Sequence, residues 1–518
     1  MADSIKGSVV GWLSSTAFAF CVAGCGGGSE QAPKAEKVIL SPSPSSAETE
    51  QTVGQSSQNH KEIVLYPGDD IAEIVDEAGD GAIFRLAAGI YANVTFSPRN
   101  GQTFIGENGV VFDGSTPITD WSQDGSLWTS RSFPSPKYSH GPGRDGLAQY
   151  REDLFIDGVP YLRVASRAAV TRGTFYQEQQ QVWISVNPIG RATFASNTGV
   201  AVEGGTSADV TFRNIDFVYY ASMAQHGAIE AQHTTGWTLE NVNALYNHGG
   251  GLAAGSAMKV IGGSYSYNGQ IGIHGQDLDD LSITGVIVNA NNYAGFDNGW
   301  DAGGIKVLTS DGVSISMSCV HGNSGTGIWL DTDVLGSSIT GNAVFDNQLP
   351  GIVVEASRQG LLSRNRSLKN NRGGEKEGYW SSEILVQNSS NIEVTDNVVV
   401  SQTGEGIGLV YDTRPLGRFG RHDTRNNTVT GNSIIMISGG KNGFAASADK
   451  ALMYDGSNIF NSNNYSAKAP DDLQFTWNDK WFTLPYIGNH PIEKNGTFSI
   501  LNDPFLAVPE PILSCEVE

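Results

Sequence analysis

The central part of the chain repeats one short pattern, in which a Gly-Ile pair opens about five residues of alternating apolar and other side chains. Three successive copies begin GIKVLTSDGVSI, GIWLDTDVLGSSI and GIVVEASRQGLL, between residues 304 and 357. Their isoleucines are Ile305, Ile328 and Ile352, spaced 23 and 24 residues apart. Because alternation with period two is typical of a strand that has one buried face, each copy predicts a strand followed by a turn.

The residues that follow these isoleucines would point away from the core, since successive side chains of a strand point to opposite faces. They are Lys306, Trp329 and Val353, and two positions further along Asp331 and Glu355. Neighbouring coils would place the two carboxylates roughly 5 Å apart at the backbone. The pattern therefore predicts an exposed face that carries a lysine, a tryptophan and two stacked carboxylates.

The same unit recurs from about residue 199 onward, at intervals of 23, 21, 32, 23, 24, 32 and 23 residues. The predicted inward strand starts are Ile229, Leu252, Ile273, Ile305, Ile328, Ile352, Ile384 and Ile407. A second strand in each coil ends in an Asn-containing turn, which predicts a ladder of side-chain amides along the axis. Its predicted members are Asn241, Asn342, Asn365 and Asn397. A fixed period of this length predicts a solenoid of stacked coils.

Two of the intervals are longer by about nine residues, and both extra pieces fall just before a Gly-Ile strand, at residues 292–303 and 371–382. Three coils would separate them by roughly 14 Å along the axis, so they would form the walls of a short groove. Aromatic rings in such walls are suited to stacking on sugar faces. The candidate substrate-binding residues are Trp300, Trp329, Tyr379 and Trp380, and Tyr293 and Phe296 lie in the first wall.

The flanking regions read differently from the repeats. From Glu62 the chain reads as a strand, a short amphipathic helix with Ile71, Ile74 and Val75 on one face, and further strands. Residues 120–198 break the rhythm and read as hairpin strands of an inserted β subdomain. Residues 441–518 read as an irregular, aromatic-rich cap, which a solenoid needs at its end.

The segments GAIFRLAAGIY and IGENGVVFDG, preceded by the short helix, resemble the N-terminal cap and first coils of a right-handed parallel β-helix of the pectate-lyase type. The motifs LFIDGVPYLRVAS, WDAGGIK, GTGIWLDTD, GIVVEAS and FNSNNY extend the resemblance to secreted right-handed β-helix repeat proteins, from about residue 62 to the end. This implies an all-β fold with a short N-terminal capping helix and an inserted β subdomain. The superfamily includes polysaccharide lyases, glycosidases, epimerases and fructotransferases, so the fold does not choose the reaction. The Arg and calcium-ligand pattern of pectate lyases has no close match here.

The N-terminus predicts export. The apolar run VVGWLSSTAFAFCVAG follows Lys6 and, at about 15 residues, is short for a membrane span but suited to a signal peptide. Val22 to Cys25 resembles the bacterial lipobox, which implies that Cys25 is lipidated, and Gly26 after it implies the outer membrane. Residues 26–61, rich in Gly, Ser, Pro, Gln and Glu, predict a disordered linker.

The complete predicted organisation has six segments. They are a lipoprotein signal peptide (1–25), a linker (26–61), an N-terminal cap with the first coils (62–119), the inserted subdomain (120–198), the β-helix (199–440) and a C-terminal cap (441–518). Cys319 lies in phase with apolar neighbours in VSISMSC, which predicts a buried thiol.

Composition narrows the classes of partner. The 518 residues include 64 glycines and only 17% charged residues, which suits a turn-rich β protein. A net charge of −22 argues against nucleic acid as a partner. A polysaccharide or oligosaccharide and a membrane, reached through the lipid anchor, are the predicted partners.

Candidate chemistry centres on the carboxylates. Glycoside hydrolysis commonly uses two carboxylates, about 5–5.5 Å apart in retaining enzymes and about 6.5–9.5 Å apart in inverting ones. Asp331 and Glu355 are the predicted pair, Asp333 is a third carboxylate that could set the longer separation, and Lys306 would orient them. No cofactor is predicted, although a calcium ion bridging the three carboxylates is an alternative.

Two other functions stay open. A polysaccharide lyase would use Lys306 or His274 as the base, since His274 occupies the same outward place in its strand as Lys306. A non-catalytic carbohydrate-binding or adhesive surface protein would rely on the aromatic residues alone. The preferred hypothesis is a carbohydrate-active protein of the cell envelope that cleaves a polysaccharide or oligosaccharide with two carboxylates.

Overall fold

The computed structural model describes residues 62–372, 374, 378–446, 456–477, 480–483 and 493–502. The predicted signal peptide, the lipidation site Cys25 and the linker 26–61 lie outside the described residues. No helix within the described ranges is long and apolar enough to cross a membrane.

The chain winds into a right-handed parallel β-helix with three faces. The repeat predicted the stacked coils, and the resemblance implied the right-handed parallel β-helix. The first face is a 13-stranded sheet formed by Glu62–Leu65, Ile83–Leu86, Thr103–Gly106, Thr211–Arg213, Thr238–Glu240, Lys259–Ile261, Ser282–Thr284, Ser314–Ser316, Leu335–Thr340, Arg358–Ser363, Ser390–Thr395, Thr428–Thr430 and Ile459–Asn461. The second face begins as a five-stranded sheet of Gly89–Ala92, Val110–Asp113, Asp216–Val218, Asn243–Leu245 and Tyr265–Ser266. It continues as an eight-stranded sheet of Ile287–Asn289, Cys319–His321, Ala343–Phe345, Arg366–Leu368, Val398–Ser401, Ser433–Met436, Asn464–Ala467 and Thr497–Ile500.

The third face carries the Gly-Ile strands and is a 12-stranded sheet. Its strands are Val202–Glu203, Gly227–Glu230, Gly250–Ala254, Ile271–Gln276, Gly303–Leu308, Thr326–Asp331, Ile352–Glu355, Ile384–Gln387, Ile407–Tyr411, Gly440–Ala446, Leu473–Trp477 and Lys480–Thr483. Only the last pair of strands in this sheet is antiparallel. The segment predicted as a C-terminal cap therefore also contributes strands to the sheets.

An inserted, mostly antiparallel sheet interrupts the solenoid after its first coils. In spatial order its eight strands are Ser115–Pro117, Thr193–Ser196, Leu154–Ile156, Val159–Arg163, Thr174–Glu178, Gln181–Ile184, Leu127–Ser130 and Ser122–Asp124. It has a small apolar core of its own, which includes Phe133 and Phe175.

The described helices are one α-helix, Ile71–Ala78, and the 3₁₀ turns Arg144–Gln149, Arg167–Ala169, Gly378–Ser381 and Pro470–Asp472.

The predicted inward column is confirmed along the whole third face. Ile305, Ile328 and Ile352 pair in direct register and are buried in the main core, and the other five predicted strand starts continue the same column. Each glycine that precedes these isoleucines is required by its surroundings. A Cβ on Gly304 would lie 2.7 Å from Val320 Cγ1, which is closer than such atoms approach.

Side-chain amides form two ladders that run parallel to the axis. One contains Asn342, Asn365, Asn397, Asn432 and Asn463, with Nδ2 of each donating to Oδ1 of the next at 2.9–3.0 Å. The other contains Asn247, Asn268, Asn291, Asn323, Asn347 and Asn370, at 2.8–3.1 Å. Three of the four predicted ladder members are confirmed.

Asn241 is not a ladder member, so that part of the prediction is wrong. Asn241 has a positive φ of 52°, and so does Gly341, with a φ of 68°, which directly precedes the ladder residue Asn342 in a later coil. The Asn241 amide donates to Oδ1 of the exposed Asn214. The next residue, Val242, is the buried one. A shift of one residue moves a side chain to the opposite face of a strand, so the Asn-rich turn alone did not fix which asparagine faces inward.

Cys319 is buried as predicted, but it is disulfide-bonded, so the predicted free thiol is wrong. The other three cysteines of the sequence lie outside the described residues. The alternation of apolar residues in VSISMSC predicts that the Cys319 side chain is buried. It does not indicate whether Cys319 forms a disulfide or with which cysteine.

The longer amide ladder ends on a buried carboxyl group. Asn370 donates its backbone N–H to Glu383 Oε1 at 2.9 Å and its Nδ2 to Oε2 at 2.6 Å, and Ser367 Oγ donates to Oε2 at 3.0 Å. Burial raises the pKa of Glu383 to about 8, although these donors oppose the shift. The carboxyl group supplies the acceptors that a further asparagine would otherwise provide.

We expect Glu383 to make the stability of the fold depend on pH. Its folded-state pKa of about 8 lies above the ordinary value of 4.5. Its contribution is therefore complete below about pH 4.5 and is lost as the pH rises through about 8. The thermal midpoint of the wild type should fall more steeply over this window than that of Glu383→Gln, which cannot titrate. Parallel curves for the two proteins would contradict this assignment.

Candidate functional site

The outward residues of the third face stand in two columns. In the first column each residue pairs with the next one on the neighbouring strand, in the order His274, Lys306, Trp329, Val353 and Leu385. In the second column Asp331 pairs directly with Glu355, and Glu355 with Gln387. The predicted outward direction and the predicted stacking of the two carboxylates both agree with this register.

The prediction that this face is exposed is wrong. The exposed fraction is 5% for Lys306, 4% for Trp329 and 2% for Glu355. The two inserted loops and a later segment fold back onto the sheet, instead of only flanking it. Their contacts with Lys306, Trp329 and Glu355 cover the residues that the strand period turns outward.

Lys306 is the centre of the covered face. Its Nζ lies 2.6 Å from Asp301 Oδ1 and 3.0 Å from Asp331 Oδ2, and it donates to the carbonyl of Trp300 at 2.8 Å. The same ammonium lies 3.6 Å from the centroid of the Trp329 ring. Because an ammonium has three N–H donors, these three oxygens engage all of them. Sequence reasoning missed Asp301, although it lies within the quoted motif WDAGGIK.

The two paired carboxylates have different surroundings. The Asp331 side chain is 18% exposed, and its Oδ1 accepts from Thr332 Oγ1 at 2.9 Å. Glu355 Oε2 accepts from Trp329 Nε1 at 3.1 Å, and its Oε1 forms an ion pair with Arg414. Asp331 is thus the carboxylate that solvent or a substrate reaches first, whereas Glu355 is covered by Arg414.

Asp333 anchors an arginine-rich segment, residues 411–427, instead of joining the pair. Its Oδ2 accepts the backbone N–H of Arg418 at 2.9 Å, and its carbonyl accepts from Nε and Nη2 of that arginine at 3.1 and 2.7 Å. His422 Nε2 lies 3.8 Å from Asp333 Oδ1. Burial lowers the pKa of His422, and Asp333 opposes that shift.

The carboxylates do not form a calcium site as arranged. Asp331 faces Lys306, Glu355 faces Arg414, and Asp333 is held by Arg418. Among the described residues, no group of three or more His, Cys, Asp or Glu side chains is placed to hold a metal ion. Each of the three carboxylates thus has a partner of its own: the Lys306 ammonium, the Arg414 guanidinium and the Arg418 backbone N–H.

His274 is buried beside Lys306, and neither of its ring nitrogens has a hydrogen-bond partner among the described residues. Its Nε2 lies 3.9 Å from Asp301 Oδ2. Burial lowers the pKa of His274 to about 4, and the charge of Asp301 only partly opposes this. The imidazole is therefore neutral at pH 7.

The inserted subdomain meets the third face next to Lys306. The ring of Trp300 lies so close to Gly141 that a Cβ there would come within 2.3 Å of Trp300 Cζ3. His140 Nε2 lies 2.8 Å from Gln225 Oε1, and Gln225 Nε2 donates to Asp301. A rigid set of contacts therefore connects the subdomain to the Lys306–Asp301 pair.

A histidine–carboxylate pair lies further along the same face. His226 Nδ1 and Glu230 Oε2 are 2.8 Å apart, and this hydrogen bond raises the pKa of His226. His226 is partly exposed, and its ring approaches that of His140 edge-on, with 6.4 Å between the ring centroids. The register places Glu230 two strands before His274 in the first outward column.

The predicted sugar-stacking aromatics are engaged in packing. Trp380 meets Trp329 edge-on, with 5.5 Å between ring centroids and an interplanar angle of 72°. The Tyr379 hydroxyl donates to the Asn442 carbonyl at 3.1 Å. Trp300 and Trp380 are only partly buried, so each retains some accessible surface. The substrate-binding roles of Trp300, Trp329, Tyr379 and Trp380 stay predictions.

The two other aromatics of the first wall contact the inserted subdomain instead of lining a groove. Phe296 is buried in a small cluster with Ala148. The Tyr293 hydroxyl donates to Asp153 Oδ2 at 2.7 Å. The sequence predicted a groove wall from the position of these residues in the inserted loop. It did not predict their partners in the inserted subdomain, which lie about 140 residues away in the chain.

Comparisons with known proteins agree with the fold. Residues 226–381 match the profile of the family described as "Right handed beta helix region". The solved structure of XylC in complex with xylose superposes with a TM-score of 0.61 and 12% identity, over 86% of this chain and 87% of that chain. At that identity the likeness shows the fold alone. No curated protein sequence matches the chain.

Weaker structural matches involve other carbohydrate-active β-helices and carry no argument here. The A-module of the mannuronan C-5 epimerase AlgE6 from Azotobacter vinelandii has a TM-score of 0.44 and 12% identity, over 83% of this chain and 92% of that chain. A glycoside hydrolase has a TM-score of 0.43 and 10% identity, over 87% and 98% of the two chains.

Removal of the central ammonium should destabilise the protein strongly. Lys306→Met leaves the buried Asp301 and the partly exposed Asp331 beside each other without a counter-ion, which should cost roughly 3–5 kcal/mol. Urea unfolding at pH 7 measures the change, and Lys259→Met, at an exposed position of the first face, is the matched control. Adding Asp301→Asn to Lys306→Met should recover part of the loss. Equal stability of the two lysine variants would contradict the central role of Lys306.

Proposed function

We propose that this chain cleaves a glycosidic bond in an oligosaccharide or polysaccharide, with Asp331 and Glu355 as the two catalytic carboxylates. The single observation that carries the proposal is their direct pairing on adjacent parallel strands. Adjacent strands lie about 4.8 Å apart, which suits the short carboxylate separation of about 5–5.5 Å in retaining glycosidases. The likeness in fold to XylC, a protein solved with xylose, supports a carbohydrate ligand.

The surroundings of the two carboxylates favour different roles. Asp331 contacts the ammonium of Lys306 and is the more exposed of the two, which suits the ionised nucleophile. Its oxygen attacks the anomeric carbon while Glu355 gives a proton to the departing glycosidic oxygen. A water molecule then attacks the anomeric carbon and releases Asp331, while Glu355, now ionised, accepts a proton from that water.

The ion pair between Glu355 and Arg414 sets a condition on this mechanism. The guanidinium of Arg414 lies on Glu355 Oε1, where the proposed acid would face the glycosidic oxygen, so the mechanism requires Arg414 to move away before Glu355 acts as the acid. Movement of Arg414 also uncovers Glu355 for a substrate. Substrate entry and protonation of the acid are therefore one event in this proposal.

Lys306 acts as a positioning residue in the preferred mechanism. Its three N–H groups donate to three oxygens, so the ammonium holds Asp331 in place. An ammonium nitrogen has no lone pair with which to abstract a proton. The second candidate function is a polysaccharide lyase with Lys306 or His274 as the base. One observation favours it for His274, because a neutral imidazole is the form that accepts a proton.

We also propose that the protein acts at the cell envelope, where a lipid on Cys25 anchors it in the outer membrane. The sequence around Cys25 is the main support. The disulfide at Cys319 adds to it, because disulfides persist mainly in oxidising, exported environments.

A turnover screen tests the proposed chemistry. The chain with Cys25→Ala, which prevents lipidation, is incubated with neutral and uronate polysaccharides and oligosaccharides. New reducing ends and the ultraviolet absorbance of unsaturated uronates are both read. Asp331→Asn and Glu355→Gln should each lower kcat by at least about 100-fold, whereas Glu393→Gln, at an exposed position of the first face, should not.

Each outcome separates the candidate functions. Reducing ends without unsaturated product support the hydrolase, and reducing ends with it move the base role to Lys306 or His274. Full turnover in Glu355→Gln would falsify the two-carboxylate mechanism. Binding without turnover, dependent on Trp300 and Trp380 but not on Asp331, would identify a carbohydrate-binding surface protein.

A further inference from the structure

One buried polar group beside the candidate carboxylates has no partner. Gln387 follows Glu355 in the second outward column, and its side chain is only 4% exposed. Its Oε1 is fully buried and has no hydrogen-bond partner among the described residues. Buried polar atoms are nearly always paired, so an unpaired one needs a specific explanation.

The next residue, Asn388, has a side-chain amide whose hydrogen bonds are satisfied. Asn388 Nδ2 donates to the carbonyls of Asp412 at 2.6 Å and His422 at 3.1 Å. These contacts hold the arginine-rich segment over the end of the strand. The Oε1 of Gln387, the preceding residue, takes no part in this network.

The residue that Gln387 stacks on, Glu355, pairs with an arginine of that segment. Arg414 contacts Glu355 Oε1, and its side chain is 35% exposed. A guanidinium has five N–H donors in a fixed planar arrangement. Gln387 supplies a buried acceptor and Arg414 supplies open donors, and both adjoin Glu355.

A sugar hydroxyl matches this pair, since it is both a donor and an acceptor. We propose that Gln387 and Arg414 form a sugar subsite on the side of Glu355 opposite to Asp331, where they bind hydroxyl groups of the leaving sugar. The inference rests on the proposed function and deepens it. The ligand class is a disaccharide or longer chain that lies along the solenoid axis.

The spacing along the column supports this placement. Asp331, Glu355 and Gln387 occupy three successive strands, so Gln387 lies roughly 10 Å from Asp331 along the axis. Asp331 attacks the anomeric carbon on one side of Glu355, and Glu355 protonates the glycosidic oxygen. The leaving sugar then extends from Glu355 toward Gln387.

The subsite opens by the movement that the acid requires. Arg414 covers Glu355 in this structure, and the segment that carries it is fixed by Arg418 to Asp333. When Arg414 exchanges the Glu355 carboxylate for sugar hydroxyls, Glu355 is freed for protonation and Gln387 gains a donor. The leaving sugar itself therefore prepares the acid that releases it.

The substitution Gln387→Leu tests the subsite, with Gln276→Leu as the matched control. Gln276 lies in the same column, two strands before Asp331, and its Nε2 donates to Asp277 Oδ2 at 3.2 Å. The full chain is assayed with an aryl glycoside and with a disaccharide of the sugar that the turnover screen identifies. Ligand-free thermal midpoints are measured in parallel.

For Gln387→Leu we expect the ratio of kcat/KM on the disaccharide to kcat/KM on the aryl glycoside to fall about five- to tenfold, the effect of one lost hydrogen bond. The ligand-free midpoint should not fall, because leucine removes an unpaired buried amide. Gln276→Leu should leave the ratio unchanged.

An unchanged ratio in Gln387→Leu would overturn the subsite, because the amide then does not contact the leaving sugar. This includes an equal fall of kcat/KM on both substrates, which shows a general disturbance of the site. A lowered midpoint together with an unchanged ratio shows that an ordered water holds the amide. If the wild type turns over none of the substrates, the proposed function fails and the subsite fails with it. Turnover by the wild type with an unchanged ratio isolates the failure to the subsite.

Discussion

In-register stacking of parallel strands is the constraint on which the rest of this structure depends. Each residue of a coil lies on its counterpart in the next coil, about 4.8 Å away. The constraint is fixed from inside by the isoleucine column and by the two amide ladders, whose buried donors and acceptors are satisfied only in one register. Outside, the same register places Asp331 on Glu355 and Lys306 beside His274. The candidate site is thus a direct consequence of the packing of the core.

Charge pairing on the outer face follows from that stacking. Parallel strands bring like charges together at short range, and each such carboxylate here has its own cation: Lys306 for Asp331 and Arg414 for Glu355. The two cations differ in how they are held. Lys306 is fixed by three oxygens from the sheet and the first loop, whereas Arg414 belongs to a separate segment anchored through Asp333. Lys306 thus has three partners in this structure, and Arg414 is the counter-ion whose movement the proposed mechanism requires.

Period and spacing were enough to predict the fold and the direction of the outward residues, because both follow from local alternation and a constant coil length. The inward column from Ile229 to Ile407 is confirmed, and the carboxylate pairing follows from it. Sequence reasoning failed where contacts come from distant segments. It missed Asp301, Arg414 and Gln387, and it expected an exposed face where loops fold back. It also placed Asn241 in the ladder, because turns tolerate an asparagine at either of two adjacent positions.

The stereochemistry of cleavage tests the two-carboxylate account most directly. Proton NMR of the first product, recorded before mutarotation, reports whether the new reducing end keeps the anomeric configuration of the substrate. Asp331 and Glu355 lie on directly paired strands, and the short carboxylate separation proposed from this pairing is that of retaining enzymes, in which the carboxylate and not a water attacks the sugar. The account therefore predicts retention of configuration. Inversion would contradict it and would require a more distant base than Asp331.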